Sequence, residues 1–95
     1  MPAFIVATVD ITDAESFGRY ARAIDGLAEK HGGHYVVRGP VVETLEGRDT
    51  VGQRVVILEF SDADAARGFY ASETYQAAKT MREGAAVLDM RLVGG

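Results

Sequence analysis

Two short segments of the chain are apolar at consecutive positions, and this pattern restricts the possible folds more than any other feature. The first reads AFIVATV over residues 3–9 and the second reads QRVVILEF over residues 53–60. Successive side chains of a β-strand point to opposite faces, so both faces of these two strands are apolar. A sheet with one face in water would instead alternate apolar and polar residues. Both faces must therefore be covered, one by helices and the other by a second sheet.

The rest of the chain supplies the order strand, helix, strand, strand, helix, strand. Apolar residues recur with helical spacing up to His31, and Gly32 and Gly33 end that helix because glycine accepts a left-handed conformation. The Gly39–Pro40 pair predicts a bulge or bend in an edge strand, since proline cannot donate to a central ladder. The predicted strands are Ala3–Val9, Tyr35–Glu46, Gln53–Phe60 and Ala85–Val93, and the predicted helices are Glu15–His31, a helix from a Ser61 or Asp62 cap to Ala71, and Ser72–Glu83.

This order predicts an α+β, ferredoxin-like βαββαβ fold, with a four-stranded antiparallel sheet and both helices on one face. The chain has 95 residues, which is too few to supply a second sheet for the other face. We therefore expect one domain over residues 1–95 and a homodimer that packs sheet against sheet.

Composition excludes several classes of function. The net charge is −4 with the signs interspersed, which disfavours nucleic acid as a partner. The chain has no cysteine, which removes disulfides, thiolate metal sites and a cysteine nucleophile and favours the cytoplasm. The start of the sequence, MPAFIVATVD, has no basic region and only a short apolar run, so we expect no signal peptide and no membrane association.

A set of short motifs makes the chain resemble the domain of unknown function 1330 family, whose members are dimeric α+β barrels. The motifs are Gly32-Gly33, Arg38-Gly39, Leu45-Glu46-Gly47, Arg54, and Tyr70-x-Ser72-x-x-Tyr75 followed by Arg82. The chain departs from the family at Ser61-Asp62, at Phe69 and in its Gly94-Gly95 tail, which affects a turn, one aromatic residue and the C-terminus. The resemblance implies a dimer with a cleft and implies no particular reaction.

Six residues are candidates for a ligand pocket in that cleft: Tyr20, Arg38, Glu46, Tyr70, Tyr75 and Arg82. Arg38 can hold a carboxylate or phosphate with two hydrogen bonds, or it can pair with Glu46, Glu59 or Asp89. Glu46 can act as a base if buried, or it can pair from its loop with Arg54 or Arg38. Arg82 can reach the cleft or the last carbonyls of its helix.

The candidate tyrosines have a similar choice of roles. Their phenols can donate hydrogen bonds to a carbonyl or enolate, or their rings can simply fill the core. Ser72 is expected to cap the helix that follows it. His31 and His34 lie on either side of the glycine turn, and we expect His31 to close its helix and neither residue to bind a metal.

Two classes of function are consistent with these residues. The first is an enzyme without a cofactor that acts on a small anionic or carbonyl-containing compound, by analogy with similar barrels that oxygenate, isomerise or degrade small aromatic or polyketide-like compounds. The alternative is a non-catalytic dimer that binds a ligand or a partner through the same residues. An enclosed cavity that contains Arg38 and Tyr75 favours the first, and a filled core with a fully paired Arg38 favours the second.

Overall fold

A computed structural model describes residues 1–95 as a four-stranded antiparallel sheet with helices on one face. The strands lie in the order β2-β3-β1-β4. The strands are β1 (Ala3–Ile11), β2 (His34–Pro40), β3 (Arg54–Phe60) and β4 (Ala86–Gly94), and the helices are α1 (Ala14–Ala23), α2 (Leu27–Lys30), α3 (Ala63–Ala71) and α4 (Glu73–Met81). This arrangement confirms the ferredoxin-like fold expected from the element order. None of its helices is long and apolar enough to cross a membrane.

The first helical region is interrupted, so the predicted continuous helix over 15–31 is wrong. Asp13 caps α1 by accepting a hydrogen bond from the backbone N–H of Ser16 at 3.2 Å. The chain then leaves the helix and passes through Gly26, whose φ of 77° is left-handed. The sequence hides this break because Ile24 and Leu27, on either side of it, are both buried and continue the apolar stripe.

The second strand is shorter than predicted, because it ends at Pro40 and not at Glu46. One further pair of hydrogen bonds joins Val41 to residues of the returning chain, at 2.8 Å to the Gln53 carbonyl and 2.9 Å from the Gly52 N–H. The chain between these residues is a loop. The strand lies at the sheet edge, as expected, but its irregularity falls between Tyr35 and Val37 and not at Gly39–Pro40.

Ser72 separates and orients the last two helices. Its hydroxyl donates to the Phe69 carbonyl at 2.8 Å and accepts from the Tyr75 N–H at 3.2 Å. The same residue therefore ends α3 and caps α4, which confirms the predicted cap. The resulting corner turns the Tyr75 ring into the core, where the residue is 0% exposed.

The strand register divides the sheet into two unlike faces. Ile5 pairs with Leu58 on the face under the helices, and both are buried. Val6 pairs with Ile57 on the other face, and no helix covers them. The open face carries Phe4, Val6, Val55 and Ile57 along its two central strands, with Glu59 at one end of β3. Its edge strands carry both charged and apolar residues, namely His34 and Val37 on β2 and Val87, Asp89, Arg91 and Val93 on β4.

Candidate functional site

A cavity of about 270 Å³ lies between α1 and the helix-covered face of the sheet. Hydrophobic residues make up 16 of the 19 that line it, so the cavity is mainly apolar. Three of the six candidate residues lie on its wall, namely Tyr20, Arg38 and Tyr75. An apolar cavity with a few polar groups is typical of small-molecule sites.

The cavity has a charged end and a phenolic end. One end of the sheet carries both Arg38, near the end of β2, and Arg54, at the start of β3. They lie beside Ile11, which is 37% exposed. Deeper in the cavity the wall is formed by Tyr20 and Tyr75, both buried. The arginines therefore lie at the mouth, and the phenols lie at the inner end.

The inner end is organised by a hydrogen-bonded network of Tyr20, Tyr75 and Arg82. The two phenol oxygens are 2.8 Å apart, and Arg82 Nη2 donates to the Tyr75 oxygen at 3.2 Å. The Arg82 guanidinium also lies over the Tyr20 ring, 5.0 Å from its centre. Arg82 follows α4 directly and lies seven residues after Tyr75, which is two helical turns, so both fall on one face of that helix.

One phenolic proton of this network is left without a strong acceptor in the protein. Two phenols carry two O–H protons, and the bond between them uses only one. Arg82 has no lone pair to accept the other, because a guanidinium only donates. The remaining contact within reach is the weak acceptor Met90 Sδ, 3.8 Å from the Tyr75 oxygen. The network can therefore donate a hydrogen bond to a ligand that enters the cavity.

Burial keeps Tyr20 protonated, and contacts with the phenols keep Arg82 protonated. Burial raises the pKa of Tyr20 far above its ordinary value, and the neighbouring Tyr75 adds to the shift. Burial lowers the pKa of Arg82, but its hydrogen bond to Tyr75 and its proximity to both phenols outweigh this, so its pKa lies above the usual value. At neutral pH Tyr20 is thus a hydrogen-bond donor and not a base, and Arg82 is charged.

Tyr70 and Glu46 do not line this cavity. Tyr70 lines a neighbouring groove, where its hydroxyl accepts a hydrogen bond from Lys79 Nζ at 2.8 Å, and this bond lowers the pKa of the phenol. Its ring packs 5.1 Å from the Tyr75 ring. Glu46 is exposed in the loop between β2 and β3 and makes no hydrogen bond or ion pair with the other candidates.

Sequence reasoning missed Arg54 at this site and Lys79 beside Tyr70. Arg54 lines the cavity beside Arg38, and its parity with the buried Leu58 and Phe60 on β3 would have placed it on the covered face. Lys79, the partner of Tyr70, carried no signal, because a lysine on an exposed helix is usually a solvated charge. Arg38 itself lies over the Tyr35 ring, 4.6 Å from its centre.

Neither histidine lines the cavity. His31 ends α2, and its ring packs edge-on against Phe69 at 6.2 Å between ring centres. His34 lies 3.6 Å from the Glu59 carboxylate on the open face of the sheet. No group of three histidine, aspartate or glutamate residues is placed so that it could hold a metal ion.

A comparison with protein families gives one match over nearly the whole chain. A family model described as a domain of unknown function, DUF1330, matches residues 2–95. No curated protein matches the sequence.

Solved structures with the same fold include proteins of known and of unknown function. Methylated RPA0582, a protein of unknown function from Rhodopseudomonas palustris, is 22% identical with a TM-score of 0.80, and the match covers 99% of this chain and 80% of that one. A dimeric ferredoxin-like protein of unknown function from Jannaschia sp. CCS1 is 15% identical with a TM-score of 0.75 over 100% of both chains. SnoaB, a cofactor-independent oxygenase from Streptomyces nogalater, is 20% identical with a TM-score of 0.68 over 99% of this chain and 92% of that one. These likenesses are in the fold.

Proposed function

Since the chain belongs to the DUF1330 family, whose description assigns no reaction, we propose a function from the cavity itself. The protein binds a small, largely apolar carbonyl compound and stabilises its enolate form without a cofactor. The observation that carries this proposal is the Tyr20–Tyr75–Arg82 network, which has one phenolic proton to donate at the inner end of an apolar cavity. A neutral donor held by a nearby cation stabilises negative charge that develops on a carbonyl oxygen.

The composition of the wall restricts the reaction further. No aspartate, glutamate or histidine lines the cavity, so no side chain there is suited to remove a proton from carbon at neutral pH. The enolate must therefore form from a compound that loses its proton to water, with the phenols lowering the energy of the resulting anion. The comparison with SnoaB agrees with chemistry of this kind, since that protein is a cofactor-independent oxygenase with the same fold.

The same observation favours a second candidate, a ligand-binding protein that performs no reaction. In this case the cavity binds the ketone through the same phenolic hydrogen bond and leaves its rate of proton loss unchanged. The two candidates differ in one measurable quantity, which is the rate at which a bound ketone exchanges the hydrogens next to its carbonyl.

That exchange can be followed directly with acetophenone in D₂O by NMR. We expect the native protein to accelerate exchange of the methyl hydrogens and Tyr75→Phe to reduce the acceleration at least tenfold. Tyr70→Phe is the matched control, because this phenol lies outside the cavity, and it should behave like the native protein. A rise in melting temperature with acetophenone but exchange at the solvent rate would leave the binding protein as the function.

We also propose that the protein works as a homodimer through the open face of its sheet. This is supported by the apolar residues along the centre of that face, which have the charged residues His34, Glu59, Asp89 and Arg91 around them, since interfaces usually have an apolar core and a polar rim. A specific interface of standard size covers roughly 600–1,000 Å² on each partner. The accessible surface of one subunit is 5976 Å², so the interface would cover about one-tenth to one-sixth of it.

Sedimentation of an interface variant tests the dimer. Ile57→Asp places a carboxylate at the centre of the open face and should convert a micromolar dimer to monomer. Ala77→Asp introduces the same group on the exposed side of α4 and should leave the dimer unchanged. This part of the proposal is wrong if the native protein sediments as a monomer. It is also wrong if Ile57→Asp forms a dimer as stable as the native one.

A further inference from the structure

We propose that Arg38 and Arg54 form an anion-binding pair at the mouth of the cavity, and that the ligand is a small apolar carboxylic acid in its ionised form. This inference rests on the proposed function, because it assigns the other end of the same cavity. It goes beyond the proposed function by naming the acidic group of the ligand, the residues that recognise it and the size of the compound.

The strand register brings the two arginines together. Arg38 on β2 pairs with Val56 on β3, and Arg54 lies two residues before Val56 on the same strand and face. The arginines are therefore diagonal neighbours across an antiparallel pair, with Cβ atoms about 7 Å apart. Both side chains line the cavity. At this separation two guanidinium groups can reach a single carboxylate between them.

Neither arginine has an acidic partner within the protein. The ion pairs of the structure join Arg19 to Glu15, His34 to Glu59 and Arg67 to Asp64. Two like charges side by side at the entrance of an apolar cavity repel one another, and the repulsion is stronger there than in open water. An anion between them replaces this repulsion with two attractive contacts. Anion binding therefore explains why the two arginines lie together, whereas a contribution to protein stability does not.

The Tyr35 ring holds one arginine in place. The guanidinium of Arg38 lies 4.6 Å from the centre of that ring, and Tyr35 also lines the cavity. Such stacking restricts the arginine to orientations in which its planar fork can face a ligand. A planar fork matches a carboxylate, which accepts two parallel hydrogen bonds from it.

The cavity volume limits the size of the acid. A volume of about 270 Å³ is the share of roughly nine water molecules in the liquid. A compound of about ten non-hydrogen atoms, such as one aromatic ring with a carboxylate and a carbonyl, has a comparable bulk. A ligand with several fused rings does not fit unless the cavity expands.

Calorimetric titration with benzoate and its neutral counterpart benzamide tests the pair on the full-length protein at fixed ionic strength. Benzoate should bind at least tenfold more tightly than benzamide. Arg54→Gln should abolish this preference, and Arg54→Lys, which keeps the charge but not the fork, should restore only part of it. Arg48→Gln is the control, because Arg48 is an exposed arginine in the adjoining loop and does not line the cavity. Circular dichroism melting establishes that each variant is folded.

The outcomes separate this inference from the proposed function. Three results would overturn the anion pair. They are equal binding of benzoate and benzamide, an unchanged preference for benzoate in Arg54→Gln, and a loss of that preference in Arg48→Gln as large as in Arg54→Gln. Inorganic phosphate that competes as well as benzoate would overturn the assignment to an apolar acid. Acetophenone binding and exchange are measured in the same variants. If Arg54→Gln retains both and Tyr75→Phe loses both, the phenolic site is supported independently of the arginine pair.

Discussion

The hydroxyl of Tyr75 is the group whose removal tests the internal organisation of the site most directly. Tyr75→Phe keeps the ring, which is 0% exposed and packs against the rings of Phe69 and Tyr70. It deletes one oxygen that contacts Tyr20, Arg82 and Met90. The change in stability therefore measures the hydrogen bonds and little else.

The expected loss follows from the type of each bond. A hydrogen bond to a charged group contributes about 1.5–3 kcal/mol, and a neutral one contributes about 0.5–1.5 kcal/mol. The Nε atom of Arg82 is already buried without a partner, and loss of the Tyr75 oxygen removes the one hydrogen bond that the guanidinium makes within the protein. We expect Tyr75→Phe to lower the free energy of unfolding by about 2–4 kcal/mol in total.

Tyr20→Phe is the matched comparison, because it removes the partner at the other end of the same hydrogen bond. Deletion of the Tyr20 hydroxyl leaves the charged bond from Arg82 to Tyr75 intact. Tyr20→Phe should therefore lower the free energy of unfolding by about 0.5–1.5 kcal/mol. For a domain of this size, 1 kcal/mol shifts the melting temperature by about 4–8 °C. Tyr75→Phe should thus melt roughly 8–32 °C below the native protein and Tyr20→Phe about 2–12 °C below it.

Thermal melting at one fixed protein concentration measures both values, since a dimer melts at a temperature that depends on concentration. Tyr75→Phe that melts within about 2 °C of the native protein, or above Tyr20→Phe, would refute the network as described. The loss in Tyr75→Phe should also be constant between pH 6 and pH 9, because Arg82 stays charged and the Tyr20 phenol stays protonated throughout that range.

Two further predictions concern a close contact and a titration. A Cβ at Gly33 would lie 2.5 Å from the ring of Phe60, whereas one at Gly39 would meet nothing within 4 Å. Gly33→Ala should therefore lose about 1–3 kcal/mol of stability in chemical denaturation, with Gly39→Ala near the native value. The hydrogen bond from Lys79 lowers the pKa of Tyr70, so this phenol should ionise below the usual tyrosine value in an alkaline ultraviolet titration. Lys79→Met should move that titration upwards, and an unchanged curve would contradict the assignment.

Local signals in the sequence were sufficient for most of the fold. Ser72 and either Ser61 or Asp62 were expected as helix caps, and Asp62 and Ser72 accept the hydrogen bond that defines a cap. The break near Gly26 was missed because periodicity reports which face is apolar and not whether the backbone is continuous. The end of the second strand was missed because Val41 and Val42 have strong strand propensity, although Val42 is 86% exposed in the loop.

The site was harder to predict than the fold, because its contacts join residues that are distant in the sequence. The spacing of Tyr75 and Arg82 places both on one face of a helix, which a sequence can reveal. Nothing local shows that Tyr20, 55 residues away from Tyr75, supplies the third member of the network. That contact depends on how α1 packs against α4, which is a property of the assembled layers.

The pairing of strands explains why the two ends of the cavity differ. Because β2 is antiparallel to β3, the end of β2 and the start of β3 lie at the same end of the sheet. This end of the sheet carries Arg38 and Arg54. The phenols come instead from the second half of α1 and from α4, and they form the inner end of the cavity. A ligand that enters at the arginines meets an apolar wall before it reaches a hydrogen-bond donor. The topology thus favours an elongated compound with its charge at one end and its carbonyl at the other.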